Sequence, residues 1–169
     1  MLSAVLVAIV YVPMVLEANR AASNERTQRS RGGVEAPGDV YSIMRVVYPA
    51  TFLAMIVEQA LRGGSSPGAI AVGVGLFIAA KAVKWWAIST LGPAWTFRVI
   101  VIPGAERVTG GPYRFVRHPN YIAVVAELIA VGVMTGAWVS APIAVLGFGL
   151  LILKRVAVEE RALRSTRPS

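Results

Sequence analysis

The sequence predicts an all-α, polytopic membrane protein with about five transmembrane helices. Of its 169 residues, 56% are hydrophobic and only 15% are charged, and the mean hydropathy is +0.62. This composition is too apolar for a soluble globular protein of this length. The apolar residues also gather in long blocks separated by basic stretches, and the length suits one membrane-embedded domain over 1–169.

The apolar blocks set the number of helices. Four blocks are nearly free of charge: 1–17, 43–61, 68–88 and 120–153. A helix needs about 20 residues to cross the hydrocarbon, so each of the first three predicts one crossing. The fourth is too long for one crossing and is interrupted by TGAW and Pro142, which predicts a C-terminal helical hairpin of 120–135 and 138–156.

The ends of the first block distinguish a helix from a signal peptide. No basic stretch precedes this block and no small-residue cleavage site follows it. Because a secretory signal normally has both, we interpret the block as a retained first helix.

The basic residues predict the orientation of these helices. Most lie in three stretches that the topology places on one side: 18–42, 89–118 and the tail from 154. The opposite side carries only Arg62. The positive-inside rule therefore predicts a protein of the cell membrane with its N-terminus outside and its C-terminus in the cytosol. Basic residues between apolar blocks favour contacts with membrane lipids and indicate no nucleic-acid partner.

Small residues predict where helices approach each other. Glycines recur in the third and fifth helices, at Gly73, Gly75, Gly147 and Gly149. Glycine permits close packing of helices in lipid, so we interpret these positions as packing contacts. The GVG at 73–75 is not a phosphate loop, because no strand precedes it.

The sequence contains no cysteine and a single histidine. A disulfide framework, a thiol nucleophile and a thiolate metal site are therefore excluded. The carboxylates also lack the spacing of metal ligands, so no metal site is predicted.

A polar stretch, GPYRFVRHPNY at 111–121, immediately precedes the fourth apolar block. Pro119 disfavours a regular helix before it, so Arg117 and His118 are expected in a turn and Asn120 at the start of the helix. Free amides at a helix N-terminus, with arginines nearby, favour an anion. The stretch can be a membrane-edge anchor or part of a binding pocket.

A second polar stretch, RVAVEERAL at 155–163, follows the last apolar block. Arg155 and Glu159 are four residues apart and share a helix face, with Glu160 beside them. Alone, this pattern is typical of a solvated helix end with a weak ion pair. Together with the first stretch, it also suits a ligand that carries a carboxylate and cationic centres. The amino-acid half of S-adenosylmethionine, with its sulfonium, is such a ligand.

Three further polar residues lie in or beside apolar helices. Glu127 lies two helical turns beyond Asn120 on the same face. A carboxylate inside a membrane helix usually marks a site or a paired polar interior, and pairing with an arginine is the structural alternative. Glu17 and Asn24 share one face after the first helix, where they can be solvated or line the way in for a substrate.

The two polar stretches together resemble the isoprenylcysteine carboxyl methyltransferase family of integral membrane enzymes, whose wider group includes the phospholipid N-methyltransferases. The resemblance is closest to a bacterial branch that O-methylates alkylpyrones and alkylresorcinols. Two segments, SNERTQRSRGGVEAPGDVYSIM and LGPAWTFRVIVIPGAERVTG, are also similar to that branch, so the resemblance covers most of the chain. One departure is Ala123, where the prenylcysteine enzymes usually have glycine.

The resemblance implies a cytosol-facing S-adenosylmethionine pocket within about 91–169. It implies that the cofactor-binding residues are Tyr113, Arg117, His118, Pro119, Tyr121, Glu159 and Glu160. It places Arg155 near the reacting acceptor, a lipophilic molecule such as an alkylpyrone or a prenylcysteine, whose tail enters from the bilayer. Glu17 and Asn24 are candidate substrate-binding residues.

Transfer of a methyl group from a sulfonium to an oxygen depends mainly on positioning and on exclusion of water. An acceptor that is already ionised needs no base, and Arg155 would hold it. A neutral hydroxyl needs a base, for which Glu127 and His118 are candidates.

Two other interpretations remain open. Membrane sterol and enone reductases contain a similar GPYRxxRHPxY segment and use NADPH, but their chains are generally longer. A small non-catalytic scaffold with basic lipid-binding loops is the third interpretation. Glu127, Glu159 and Glu160 argue against it, because a scaffold has little reason to hold carboxylates near hydrocarbon.

Overall fold

Five helices form the protein in a computed structural model, which describes residues 2–165. They are α1 (Leu2–Ser30), α2 (Tyr41–Arg62), α3 (Pro67–Leu91), α4 (Pro119–Thr135) and α5 (Ser140–Ser165). Four of them are long and apolar enough to cross a membrane, and α4 is a shorter apolar helix. The predicted all-α polytopic membrane fold is confirmed, including the C-terminal hairpin.

Two helices extend well beyond the predicted apolar blocks. The first continues past residue 17 to Ser30, and the last continues past 156 to Ser165. Their polar continuations contain good helix formers and no proline or glycine. The first such residue after α1 is Gly32, whose φ of 82° ends the helix in a left-handed turn. Hydropathy locates the membrane part of a helix, not its end.

A short antiparallel ladder, absent from the prediction, joins the stretch after α1 to the stretch after α3. Strand β1 (Val34–Glu35) pairs with strand β2 (Ile100–Val101). Glu35 also accepts hydrogen bonds of 2.7 Å from Arg29 and Arg98. Burial raises the pKa of Glu35, but the two guanidinium groups outweigh it and hold this pKa below its ordinary value. The ladder therefore remains ion-paired at neutral pH.

The helices pack around one apolar core and turn an apolar surface outward. Phe52, Met55, Leu128 and Met134 are fully buried at its centre. On the outer face of α5, leucines such as Leu146 are about 70% exposed. An exposed apolar surface of this kind suits contact with lipid tails.

Glycine permits close packing at only some of the predicted positions. A Cβ on Gly73 would lie 2.6 Å from the backbone of Met134, and one on Gly132 would lie 2.5 Å from the Cβ of Ala141. Gly75, by contrast, faces open space, as do Gly147 and Gly149. The packing interpretation is correct for Gly73 and wrong for the other three, because sequence does not say which helix face meets a neighbour.

We expect Gly73→Ala to destabilise the packing of α3 on α4. The added methyl group has no room against the Met134 backbone, and overpacking of this kind costs about 1–3 kcal/mol. Gly75→Ala adds the same methyl group to the same helix where nothing lies within 4 Å. Thermal unfolding in detergent should show a lower midpoint for the first variant only. Equal midpoints would contradict the close contact.

Candidate active site

The two polar stretches that flank the hairpin come together in space. The Tyr121 hydroxyl donates to Glu159 Oε2 at 2.9 Å. His118 Nε2 lies 3.2 Å from Glu160 Oε1, and its Nδ1 lies 3.7 Å from Glu159 Oε2. The His118 and Tyr121 rings stack with centroids 5.6 Å apart. The start of α4 is thus connected to the end of α5 by polar contacts.

Local sequence fixes the start of α4. Pro119 is the first helical residue, one earlier than predicted, and it is buried. Proline is favoured there because its missing N–H needs no partner and its φ suits the helix. His118 is the preceding residue, with non-helical backbone angles (φ −132°, ψ 62°), and its ring reaches Glu160 of α5. The proline therefore explains why Tyr121, one turn later, lies beside His118.

A cavity of about 750 Å³ opens beside these contacts. Five of the predicted cofactor-binding residues line it: Tyr113, Arg117, His118, Tyr121 and Glu159. Glu160 lies next to it, paired with His118 and, at 3.4 Å, with Arg107. Burial and the nearby Glu159 charge raise the pKa of Tyr113, so its phenol stays protonated. The volume lies within the range of small-molecule sites.

Arg155 lies at the centre of this region and is buried. Its Nη1 pairs with Asp39 Oδ1 at 2.9 Å, its Nε donates to the Tyr121 hydroxyl at 2.9 Å, and its Nη2 donates to the carbonyl of Phe97. The expected pairing with Glu159 is not what the structure shows, since Tyr121 stands between the two. Arg155 therefore positions Tyr121, which in turn contacts Glu159.

Asp39 is a residue that sequence reasoning missed. Its side chain is 4% exposed, and besides Arg155 it accepts hydrogen bonds from the amides of Val99, at 2.8 Å, and Tyr41. It precedes α2 and joins the first polar linker to the second. A lone aspartate in a Gly-rich linker gives little sequence signal, because such residues are usually turn formers.

Glu127 belongs to a closed ring of alternating charges inside the membrane domain. Lys81 Nζ lies 2.7 Å from Glu17 and 3.1 Å from Glu127. Lys84 Nζ lies 2.7 Å from Glu17 and 3.2 Å from Glu127. We call Glu17, Lys81, Glu127 and Lys84 the charge ring. The partners of Glu127 are thus lysines, not the arginine considered from sequence.

The charge ring and the Tyr48 hydroxyl together join four helices. Glu17 comes from α1, the two lysines from α3 and Glu127 from α4, and the Tyr48 hydroxyl of α2 donates to Glu127 at 2.5 Å. Glu17, Tyr48 and Lys84 line the membrane end of the cavity, opposite the His118 end. Sequence reasoning missed Lys81 and Lys84. Two lysines three residues apart in an apolar helix could have indicated them, because buried charges in a membrane need partners.

Asn24 lies apart from the cavity. Its amide donates to the carbonyls of Gly92 at 3.0 Å and Trp95 at 2.7 Å. These bonds fix the turn after α3 against α1, so the amide is used within the fold. Glu17, the other predicted substrate-binding residue, does reach the cavity, but as a member of the charge ring.

Comparison with known proteins identifies the family of this chain. The model of the isoprenylcysteine carboxyl methyltransferase (ICMT) family matches residues 73–165, more than half of the chain. The chain belongs to this family. The resemblance found in the polar stretches is thereby confirmed, and the ICMT family is one of integral membrane methyltransferases. Both polar stretches and three of the four charge-ring residues lie within the match.

Two relatives match most of this ICMT family chain. The uncharacterized protein YpbQ of Bacillus subtilis is 28% identical over 160 residues, which cover 94% of this chain and 95% of YpbQ. An uncharacterized protein of Haemophilus influenzae is 23% identical over 146 residues, covering 86% and 85% of the two chains. No solved structure matches the chain.

Proposed function

We propose that this protein uses S-adenosylmethionine to methylate an oxygen atom of a lipophilic acceptor within the membrane. An alkylpyrone is the leading acceptor, followed by a prenylcysteine carboxylate. The observation that carries the proposal is that one cavity has the His118, Tyr121 and Glu159 contacts at one end and the charge ring at the other. Family membership supports the methyltransferase chemistry.

The residues at the His118 end fit an amino-acid ligand. Arg117 is exposed and offers a cation, while Glu159 offers a carboxylate. The Oδ1 atom of Asn120, which also lines the cavity, is buried and has no hydrogen-bond partner within residues 2–165. A buried oxygen without a donor is costly, so a ligand ammonium or amide is expected against it.

The protein's own residues then hold and shield the reactants. When bound, S-adenosylmethionine supplies a methyl group on a cationic sulfonium. Arg155 fixes Tyr121 and, through it, Glu159, so the cofactor end is rigid before any ligand arrives. Met44, Val124 and Phe148 give the middle of the cavity an apolar wall, which excludes water and suits a hydrocarbon-bearing acceptor.

The location follows from the same assignment. The cavity's polar end lies beside the basic stretches that the positive-inside rule assigns to the cytosol. We therefore propose that the cofactor enters from the cytosol and that the acceptor arrives from the bilayer of the cell membrane.

Binding of S-adenosylhomocysteine to the purified protein in detergent tests the cofactor assignment. We expect measurable binding by calorimetry, weakened at least about tenfold by His118→Ala or Glu159→Gln, because each removes a charge-assisted contact of about 1.5–3 kcal/mol. Lys154→Ala, an exposed change on the same helix, is the matched control. NADPH should not bind. Binding of NADPH in its place would favour the reductase interpretation.

A methyl-transfer assay with labelled S-adenosylmethionine tests the acceptor. The panel contains long-chain pyrones, long-chain resorcinols, farnesylated cysteine and a phosphatidylethanolamine. We expect label on an oxygen acceptor. Label found only on the phospholipid amine would show N-methylation and contradict the proposed acceptor class.

A further inference from the structure

Lys81 and Lys84 make the same two ion pairs but face different surroundings. Each contacts both Glu17 and Glu127. The Lys84 side chain, at 3% exposure, lines the cavity, whereas the Lys81 side chain, at 11% exposure, does not. The two ammonium groups share their ion-pair partners, so contact with the cavity is what distinguishes a ligand-binding role from a structural one.

We infer that Lys84 binds the reacting oxygen of the acceptor and holds it in its ionised form. This inference rests on the proposed function and deepens it, since it names the acceptor as an acidic enol, phenol or carboxyl compound. The sequence prediction gave that position to Arg155. The structure favours Lys84 for three reasons.

The protein already holds the Arg155 guanidinium on three sides. Its Nε and one N–H each of Nη1 and Nη2 donate to Tyr121, Asp39 and Phe97, which leaves two of its five N–H groups unused. Its charge is paired with the buried carboxylate of Asp39. Moving the guanidinium toward a ligand anion would weaken that buried pair, which is costly.

Lys84 has one donor left. An ammonium group carries three N–H donors, and two carboxylates, those of Glu17 and Glu127, account for two of them. The third can be directed into the cavity, and the burial of the Lys84 side chain, at 3% exposure, strengthens any bond to an oxyanion.

The groups around Lys84 favour binding of an oxyanion over a mechanism in which a neighbouring carboxylate acts as a base. It is faced by Glu17 from α1, Tyr48 from α2, Lys81 from its own helix and Glu127 from α4. The four ring charges sum to zero. Glu127 Oε2 accepts hydrogen bonds from Lys81, Lys84 and Tyr48. Its Oε1 has no hydrogen bond within residues 2–165, although it lies 3.2 Å from Lys84 Nζ. Two adjacent ammonium groups favour the charged carboxylate, which makes Glu127 a weak base. An acceptor that loses its proton to solvent before the transfer needs no base here.

The test uses a long-chain hydroxypyrone, whose ultraviolet spectrum changes when it ionises, bound to the full-length protein without cofactor. In the wild type we expect the bound probe to ionise at a pH about 1–3 below its value in empty detergent micelles, as beside any close opposite charge. Two doubly substituted proteins, Lys84→Met/Glu17→Gln and Lys81→Met/Glu17→Gln, each remove one positive and one negative ring charge. The lowered ionisation pH should be lost in the first and largely kept in the second.

Loss in both doubles to the same extent, or no lowering in the wild type, would overturn the inference. Should the doubles not fold, Lys84→Arg and Lys81→Arg keep the charges; only the first should then change the ionisation of the probe, and equal effects would overturn it. Binding of S-adenosylhomocysteine to the same preparations reports on the proposed function separately, because none of the ion pairs of the ring involves His118, Tyr121 or Glu159. If the wild type did not bind S-adenosylhomocysteine, the proposed function would be wrong, whatever the ionisation of the probe.

Discussion

Glu127→Gln is expected to lower the free energy of unfolding by about 3–5 kcal/mol, the usual result of removing one partner from a buried ion pair. In a chain of this length, that loss corresponds to a fall of about 6–20 °C in the thermal unfolding midpoint. Glu127 is 1% exposed and has two lysine partners. After the change, two ammonium groups share the single carboxylate of Glu17 in a membrane interior.

The compensating variant separates charge balance from the loss of a side chain. Glu127→Gln/Lys81→Met restores a neutral set in which Lys84 pairs with Glu17 at one end of the former ring. It should recover at least half of the fall in the unfolding midpoint, although it removes more polar groups than the single change. Arg29→Gln, in a half-exposed surface ion pair, should barely move the midpoint. A double variant less stable than the single would contradict the charge-balance account.

Hydropathy predicted this fold because a bilayer imposes simple rules on sequence. A membrane helix must satisfy its backbone internally and be about 20 residues long, so 43–61 and 68–88 correspond closely to α2 and α3. The ends of α1 and α5 were underestimated, because they lie outside the hydrocarbon and follow helix propensity instead. The β1–β2 ladder escaped prediction, since two-residue strands have no periodicity to detect.

Part of the candidate site could be predicted from sequence, because of its motif and not because of hydropathy. The stretches around His118 and Glu159 have a recognisable motif and adjoin one hairpin, so their approach could be predicted. Asp39 and Lys84 could not be paired with their partners in advance. Their contacts join residues 116 and 43 positions apart in the chain, and which helix faces meet depends on packing that a single sequence does not display.

Arg155→Lys should lower the rate of methyl transfer by at least about 100-fold while leaving the fold intact. A lysine can keep the ion pair with Asp39, but it is a point charge that cannot also reach the Phe97 carbonyl and the Tyr121 hydroxyl. Tyr121 then loses the donor that fixes its ring, and Glu159 loses a fixed partner. A misplacement of about 1 Å in a site that works by positioning can cost this much.

A double-mutant cycle on S-adenosylhomocysteine affinity decides whether Arg155 acts through Tyr121. If it does, Tyr121→Phe and Arg155→Lys should each weaken binding, and the pair together should weaken it hardly more than either alone, because both break one connection to Glu159. A purely structural effect would instead appear in the unfolding midpoint, and Lys154→Arg beside it controls for the change of helix surface. Additive losses of affinity would show that Arg155 affects the bound cofactor independently of Tyr121 and would contradict its role as a positioning residue.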